Sequence, residues 1–247
     1  MTTVLDDHEL AAQIAREAGR LLVRRRAEGA SKDDGDRESN ELILARLAVA
    51  RPDDAVLSEE SSDDRVRLER ERVWIVDPLD GTREFGEIGR TDWAVHVALV
   101  VNGTPHACAV ALPAQDDVVM ATVPAPTLAP RPDAKLRLLV SRTRPPELAE
   151  YLARVLDADL VPLGSAGAKT MAVVQGHADV YAHSGGQYEW DSAAPVGVAA
   201  AAGCHCSRLD GSRLVYNRPD PYLPDLLVCR PEVAATVLAA IRQAPDG

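Results

Sequence analysis

The chain is poor in aromatic residues, in positive charge and in long apolar runs, and each shortage excludes a class of structure or partner. Aromatic side chains make up 4% of the 247 residues, so the core must consist mainly of Ala, Val and Leu. The formal net charge of −11 repels phosphate backbones at long range, which argues against binding of long nucleic acids. No apolar run is long enough to cross a membrane. We therefore expect neither a nucleic-acid polymer nor a membrane among the partners.

The chain also lacks the marks of an exported protein. Its first residues, "MTTVLDDHEL", contain neither the basic region nor the apolar region of a signal peptide. The 4 cysteines are then expected to be reduced thiols, namely Cys108, Cys204, Cys206 and Cys229. The "CHC" at 204–206 has no second pair of ligands at zinc-like spacing, so we interpret it as part of a strand. Together these features predict a cytoplasmic location.

The pattern of elements changes near residue 130, which suggests two halves, 1–130 and 131–247. A Pro-rich segment, 124–133, is the expected boundary between them. Before it, two helical patterns precede several strands, and after it strands and helices alternate. This arrangement predicts a mixed sheet covered by helices.

Three local signals in the first half predict particular elements. Apolar residues at helical spacing between Leu5 and Leu22 predict an amphipathic helix. Ser39 is the expected N-cap of a second helix, which would cover 40–50. Asn102-Gly103 lies between two apolar runs and predicts a β-hairpin.

Acidic residues follow two of the predicted strands and begin one predicted helix. A buried strand ends in "WIVDPLDGT", which contains Asp77 and Asp80. The preceding strand runs into "SEES", which contains Glu59 and Glu60. Far downstream, "EWDSAAP" places Asp191 at the start of an Ala-rich helix. Strands that end in turns deliver side chains to the edge of a sheet, where ligands usually bind, and gathered carboxylates suit Mg²⁺.

Each acidic segment also fits an ordinary structural role. The first could form plain Asp-Pro and Asp-Gly turns, the second a solvated loop, and the third a helix N-terminus stabilised by its acid. All three together in one small chain favour a shared site for several metal ions. The N–H groups of Gly81 and Thr82 could then hold a phosphate group.

In this order, the three acidic segments resemble the inositol monophosphatase superfamily of Mg²⁺-dependent, lithium-sensitive phosphatases, and the resemblance covers nearly the whole chain. The family pattern is "GEE" or "SEE", then "W-I-V/I-D-P-L/I-D-G-T", then "W-D-x-A-A/G". The segment "DGTREF" is similar to the "DGTKEF" of the 3'(2'),5'-bisphosphate nucleotidase branch, the CysQ type. "SRTR" and "GSAGAK" are similar to that branch's "SRSH" and "GSSLK", with Arg144 in place of the histidine.

The resemblance implies a fold, a metal site and a set of working residues. The fold would be of the α/β (α+β) class, a layered αβαβα sandwich of the inositol monophosphatase / fructose-1,6-bisphosphatase type. About two or three Mg²⁺ ions are implied, with the ligands Glu59, Asp77, the Leu79 carbonyl, Asp80 and Asp191. The implied catalytic residues are Glu59 and Thr82, which would position and deprotonate the attacking water, and Asp36, which would assist a third ion. The implied substrate contacts are Gly81, Thr82, Ser141, Arg142 and Lys169.

The implied reaction is direct attack of a metal-activated water on a phosphomonoester. For the nucleotidase branch the substrate would be 3'-phosphoadenosine 5'-phosphate (PAP), which loses its 3'-phosphate, with the phosphosulfate PAPS as a further substrate and sulfur assimilation as the setting. The alternatives are an inositol-1-phosphate or fructose-1,6-bisphosphate phosphatase of the same superfamily, and a non-catalytic binder of phosphate ligands. The spacing D-x-x-D-G-T does not match the D-x-D-G-T of haloacid-dehalogenase-type phosphatases. The superfamily often forms dimers, so the resemblance leaves a homodimer open, although no sequence feature shows an interface.

Overall fold

The computed structural model of the chain describes residues 5–131, 134–143 and 145–245, and its helices and sheets alternate in layers. The elements before the Pro-rich segment are α1 (Asp7–Ala27), α2 (Lys32–Ala50), β1 (Ala55–Ser58), β2 (Arg72–Asp80), α3 (Thr82–Gly86), β3 (Ala94–Val101), β4 (Thr104–Leu112) and β5 (Val118–Ala121). Those after it are β6 (Leu136–Ser141), α4 (Glu147–Val155), β7 (Ala158–Leu163), α5 (Ala166–Val174), β8 (Val180–His183), β9 (Gln187–Tyr188), α6 (Glu189–Ala201), β10 (His205–Ser207), β11 (Tyr222–Leu223), β12 (Leu226–Cys229) and α7 (Ala234–Ile241). Short 3₁₀ helices cover Arg65–Glu69 and Pro231–Val233.

Two 5-stranded sheets form the framework, with the strand orders β1-β2-β3-β4-β5 and β10-β12-β8-β6-β7. In the first sheet β1 and β2 run parallel and the other neighbours run antiparallel. In the second sheet β6 is parallel to β7 and β8, while β12 is antiparallel to β8 and β10. β9 and β11 pair separately. The predicted mixed sheet is therefore confirmed, as two sheets rather than one.

Alternate side chains of the strands face different layers, as the period of two in a strand requires. On β2, Ile75 packs in a central core with residues of α5 and α6, whereas Trp74 packs with α1 and α2. On β6, Leu139 joins the same central core, whereas Leu138 packs with α4 and α7. The layers are thus helices, sheet, helices, sheet, helices, which confirms the predicted αβαβα sandwich. The central core draws on both halves of the chain; their boundary at residue 130 stays a prediction.

The start of α2 differs from the prediction. The helix begins at Lys32 after Ser31, whose hydroxyl accepts the Asp34 N–H at 3.1 Å. Ser39 is therefore not an N-cap: it lies buried in the middle of α2 and donates to the Pro78 carbonyl at 2.8 Å. The polar stretch before Ser39 is helical for two reasons. The acids in its first turn interact favourably with the helix dipole, and Arg37 forms an ion pair with Glu41 one turn later.

Other local predictions are confirmed. α1 covers the apolar helical pattern, and the hairpin turn has Asn102 at φ 48° and Gly103 at φ 75°, as a tight turn between β3 and β4 requires. The Cys-His-Cys segment leads into β10, and its thiols are free. Among the residues described, no helix is both long and apolar enough to cross a membrane.

Candidate metal centre

The end of β2 places Asp77 and Asp80 together in the interior. The pairing of β2 with β3 shifts between these residues, where Pro78 has no N–H to donate. The Asp77 carboxylate accepts the Leu79 N–H at 3.0 Å, which holds it against its own turn. Both aspartates are buried, so the chain places two acidic groups where water cannot freely solvate them.

The Asp80 carboxylate also binds the first turn of α5. It accepts hydrogen bonds from the Ser165 hydroxyl at 2.5 Å, the Gly167 N–H at 2.6 Å and the Ala166 N–H at 3.2 Å. Burial alone would raise the pKa of Asp80, but the charge of His96 and these hydrogen bonds lower it to about 2. Asp80 is therefore an oriented anion that joins the two halves of the chain.

Sequence reasoning missed His96, which lies on β3 between the two aspartates. Its side chain is 0% exposed, its Nδ1 lies 3.0 Å from the Trp190 carbonyl, and its Nε2 lies 3.2 Å from Asp80 Oδ2. Because a carbonyl can only accept, Nδ1 carries a proton. Burial lowers the pKa of His96, but the neighbouring Asp80 more than reverses this and raises it. One signal was available, since a lone histidine interrupts the apolar run "WAVHVALV".

Three further acids approach the same place from other elements. Glu59 follows β1, which runs parallel to β2; its N–H donates to the Val76 carbonyl at 3.4 Å, and its carboxyl group contacts that of Asp77. Asp191 lies in the first turn of α6, where its Oδ2 accepts the Tyr188 N–H at 2.6 Å. Asp36 lies on α2, where burial and the negative charges of Glu60 and Glu59 raise the pKa of its carboxyl group.

These five carboxyl groups, which we call the acid centre, are Asp36, Glu59, Asp77, Asp80 and Asp191. Burial raises the pKa of four of them, and the negative charges of neighbouring acids add to the effect. The pKa reaches about 8 for Asp36, about 7 for Glu59 and about 6 for Asp191, and it lies well above the ordinary value for Asp77. Like charges gathered away from water raise one another's pKa in this way, so the acid centre holds protons unless a cation replaces them.

The acid centre fits a divalent cation. Asp77, Asp80 and His96 have potential ligand atoms that all lie within 4.8 Å of one another, although the imidazole can bind an ion only when its Nε2 carries no proton. Within the three described ranges, the buried Oδ1 atom of Asp36 has no hydrogen-bond partner, so it remains available to a ligand. Several carboxylates and a backbone carbonyl are hard oxygen donors, and these are the ligands that Mg²⁺ prefers.

The predicted carbonyl ligand and the predicted catalytic hydroxyl lie together. Leu79 is buried between the two aspartates, and the Thr82 hydroxyl donates to its carbonyl at 3.2 Å. Gly81 precedes α3 with φ 89°, and a Cβ there would lie 3.1 Å from the Ser165 Cβ. Glycine is needed at this position for both reasons, because a side chain would be strained and would press on the start of α5.

The predicted substrate residues of the second half have protein partners of their own. Lys169 is buried on α5, where its ammonium group donates to the Gly164 carbonyl at 3.2 Å and lies 5.2 Å from the centre of the Tyr181 ring. Arg142 donates to Glu84 at 2.9 Å and to Glu87 at 2.7 Å. Ser141 ends β6 and is half-buried. Arg144 lies outside the described residues.

The order of the acidic segments and the αβαβα layers define a family. Residues 9–245 match the model of the inositol monophosphatase family, so the chain belongs to that family, as the sequence motifs predicted. The protein is accordingly an enzyme, a phosphatase of this family.

Its similar relatives include two curated mycobacterial proteins and a solved bacterial structure. The 3'-phosphoadenosine 5'-phosphate phosphatase of Mycobacterium leprae is 52% identical, with 97% of this chain and 94% of the relative covered. The protein of the same name from Mycobacterium bovis is 54% identical, with 92% and 90% covered. The structure of CysQ from Bacteroides thetaiotaomicron, described as a member of the inositol monophosphatase family, superposes with a TM-score of 0.76 at 26% identity over 90% of this chain and 96% of that one.

Proposed function

We propose that the protein hydrolyses the 3'-phosphate of PAP to give AMP and phosphate, with Mg²⁺ held at the acid centre. One observation supports the phosphatase chemistry above others: five carboxyl groups from four separate segments converge, and four of these groups have raised pKa values. The choice of substrate is supported by relatives more than half identical over nearly the full length, which are named for this activity.

In this proposal the ligands of the ions are Glu59, Asp77, the Leu79 carbonyl, Asp80 and Asp191. Bound Mg²⁺ would stabilise the negative charge of the phosphate and lower the pKa of a water molecule. The chain's own part is orientation: the first turn of α5 fixes Asp80, and the Leu79 N–H fixes Asp77. Asp36 would assist a further ion through its Oδ1 atom, which has no hydrogen-bond partner among the described residues.

Glu59 and Thr82 would handle the attacking water. Glu59 follows β1 at an exposed position, so water can reach its carboxyl group even though the surrounding protein and the charge of Asp191 raise its pKa to about 7. That pKa suits a group that accepts a proton near neutral pH. The Thr82 hydroxyl donates its proton to the Leu79 carbonyl, which leaves its oxygen lone pairs available to accept a hydrogen bond from the water.

The phosphate and the rest of the substrate would meet Gly81, Thr82, Ser141, Arg142 and Lys169. Of these cations Lys169 is the best placed, because the negative charges of Asp80 and Asp191 attract its ammonium group. Arg142 would have to exchange Glu84 and Glu87 for a substrate phosphate. Sensitivity to lithium, a role in sulfur assimilation, a cytoplasmic location and a homodimer belong to the same proposal.

A phosphate-release panel tests the proposal. PAP, PAPS, inositol-1-phosphate and fructose-1,6-bisphosphate are each assayed with Mg²⁺ and with EDTA, and the Asp191→Asn variant serves as the inactive control. We expect kcat/KM for PAP to exceed that for inositol-1-phosphate by about 10²-fold or more, which a few polar contacts can provide. Equal efficiency on both would favour the sugar-phosphate alternative. Release from none of the four would favour a binding protein.

A further inference from the structure

Three aromatic rings form a cluster beside the acid centre. The rings of Tyr188 and Trp190 are stacked, with centroids 4.8 Å apart and planes 8° apart. The ring of Tyr222, opposite Tyr188 on β11, meets it edge-on at 6.0 Å and 79°. Tyr188 and Tyr222 are nevertheless 45% and 44% exposed, so this cluster leaves aromatic surface in contact with water.

The cluster is joined to the acid centre by the backbone. The Tyr188 N–H donates to Asp191 Oδ2 at 2.6 Å, and the Trp190 carbonyl lies 3.0 Å from His96 Nδ1. The backbone of Tyr188 is thus one hydrogen bond from an acid that would hold a metal ion.

The cluster is also held rigidly in its exposed position. On β9 the side chain of Gln187 is buried, and the alternation of a strand turns Tyr188 to the opposite, solvent side. Gly186 has φ 76°, and a Cβ there would lie 2.1 Å from the Tyr222 hydroxyl, so only glycine leaves room for that ring. Trp190 packs against the central core. A flat aromatic surface held in place loses little entropy when a second ring stacks on it.

We propose that Tyr188, supported by Trp190 and Tyr222, is the platform on which the base of a nucleotide substrate stacks while its 3'-phosphate lies at the acid centre. This inference rests on the proposed function, because it names how that site recognises a nucleotide. A base stacks on an aromatic ring through its π-face, and the interaction tolerates different bases. Inositol phosphates have no such face, so the platform would favour nucleotides over them.

The Tyr188→Leu variant tests the platform, because it removes the ring and keeps the backbone N–H that binds Asp191. We expect KM for PAP to rise by about 10- to 100-fold, the range for losing one base–aromatic stack, with kcat little changed. Tyr188→Phe should keep KM close to that of the wild type. Hydrolysis of ribose 3,5-bisphosphate, which lacks the base, should be the same in wild type and Tyr188→Leu.

Two controls separate loss of a base stack from a general loss of structure or activity. Tyr151→Leu removes a ring from α4, which packs on the far side of the second sheet, and should leave KM for PAP unchanged. AMP binding, read from tryptophan fluorescence, reports the stack without turnover. If wild type binds AMP tightly, Tyr188→Leu binds it weakly and neither hydrolyses PAP, then the proposed function fails and the platform stands.

Three outcomes would overturn the platform. An unchanged KM and unchanged AMP binding in Tyr188→Leu would show that no base stacks there. Equal losses on PAP and on ribose 3,5-bisphosphate would show that Tyr188 only positions Asp191. A dimeric wild type that becomes monomeric in Tyr188→Leu, with KM for PAP unchanged, would show that the rings cover an interface between two copies of the chain.

Discussion

At the scale of single residues, Asp80 combines two tasks that are usually separate. It would bind a metal ion, and it also satisfies the hydroxyl of Ser165 and the N–H groups of Ala166 and Gly167 at the start of α5. Buried donors that lose their acceptor cost free energy, so a change at Asp80 should affect stability as well as turnover.

Replacement of Asp80 by asparagine is therefore expected to produce two separate losses. Turnover should nearly disappear at moderate Mg²⁺, because the amide removes a charge that would hold the ion. In EDTA, the free energy of unfolding should fall by about 1–3 kcal/mol. The new amide can accept only through its oxygen, so at least one donor at the start of α5 loses its acceptor. Phosphate release and urea unfolding measure the two effects. Ordinary kcat would contradict the metal assignment, and unchanged stability in EDTA would contradict the link to α5.

At the scale of elements, α6 must lie close to the first sheet because its first turn carries Asp191. Gly197 makes that approach possible. A Cβ there would lie 2.4 Å from the Cys108 sulfur and 3.1 Å from the Pro105 Cβ, both on β4. The helix can therefore not accept even a methyl group on this face without moving away from the sheet.

Gly197→Ala should destabilise the protein although alanine is the better helix former. Alanine gains up to about 1 kcal/mol of helix propensity, but overpacking against a rigid strand costs about 1–3 kcal/mol. We expect a net loss of stability in urea unfolding and a higher Mg²⁺ requirement for phosphate release, since Asp191 moves with α6. Gly86→Ala is the matched control: no atom lies within 4 Å of its added Cβ, so its effect should stay within about 0.5 kcal/mol. Equal stability of the two variants would show that α6 adjusts freely.

At the scale of the whole molecule, the acid centre links stability to pH and to metal. The pKa of Asp36 rises from 3.8 to about 8 and that of Glu59 from 4.5 to about 7. Between about pH 4 and 8 the folded protein therefore keeps protons that the unfolded chain has already released. A raised acid pKa stabilises the folded state at low pH, and that contribution is lost as pH rises through the folded pKa. The contribution of Asp80 to the pH dependence of stability has the opposite sign, but its pKa of about 2 places that contribution below this pH range.

The gain in Tm on addition of Mg²⁺ should then be larger at pH 8 than at pH 6. At the higher pH the metal-free protein has lost its stabilising protons, and the cation no longer competes with them. Thermal unfolding in EDTA and in saturating Mg²⁺ at both pH values checks this. Asp36→Asn should flatten the pH dependence in EDTA. A gain in Tm that is the same at both pH values would mean that the acid centre is not where Mg²⁺ binds.

Local patterns predicted most elements and the family, but not the contacts between distant segments. The hairpin at Asn102-Gly103 could be predicted because its turn chemistry is complete within a few residues. The predicted start of α2 was wrong because Ser31 and Ser39 are both acceptable N-caps, and the choice depends on Ser39 meeting the Pro78 carbonyl. His96 was missed because a single histidine in an apolar strand has no pattern that identifies its neighbours.

The sequence by itself determined the order of the acidic segments, the alternation that builds the layers, and the family. Only the tertiary structure decided what those residues contact. Asp80 contacts Ser165, which is 85 positions away in the chain. Arg142, a predicted substrate contact, instead forms an ion pair with Glu84, which is 58 positions away. The reason is physical: periodicity and turn chemistry act between near neighbours, whereas the pKa of a carboxylate depends on burial and on charges that arrive from distant segments when the layers pack.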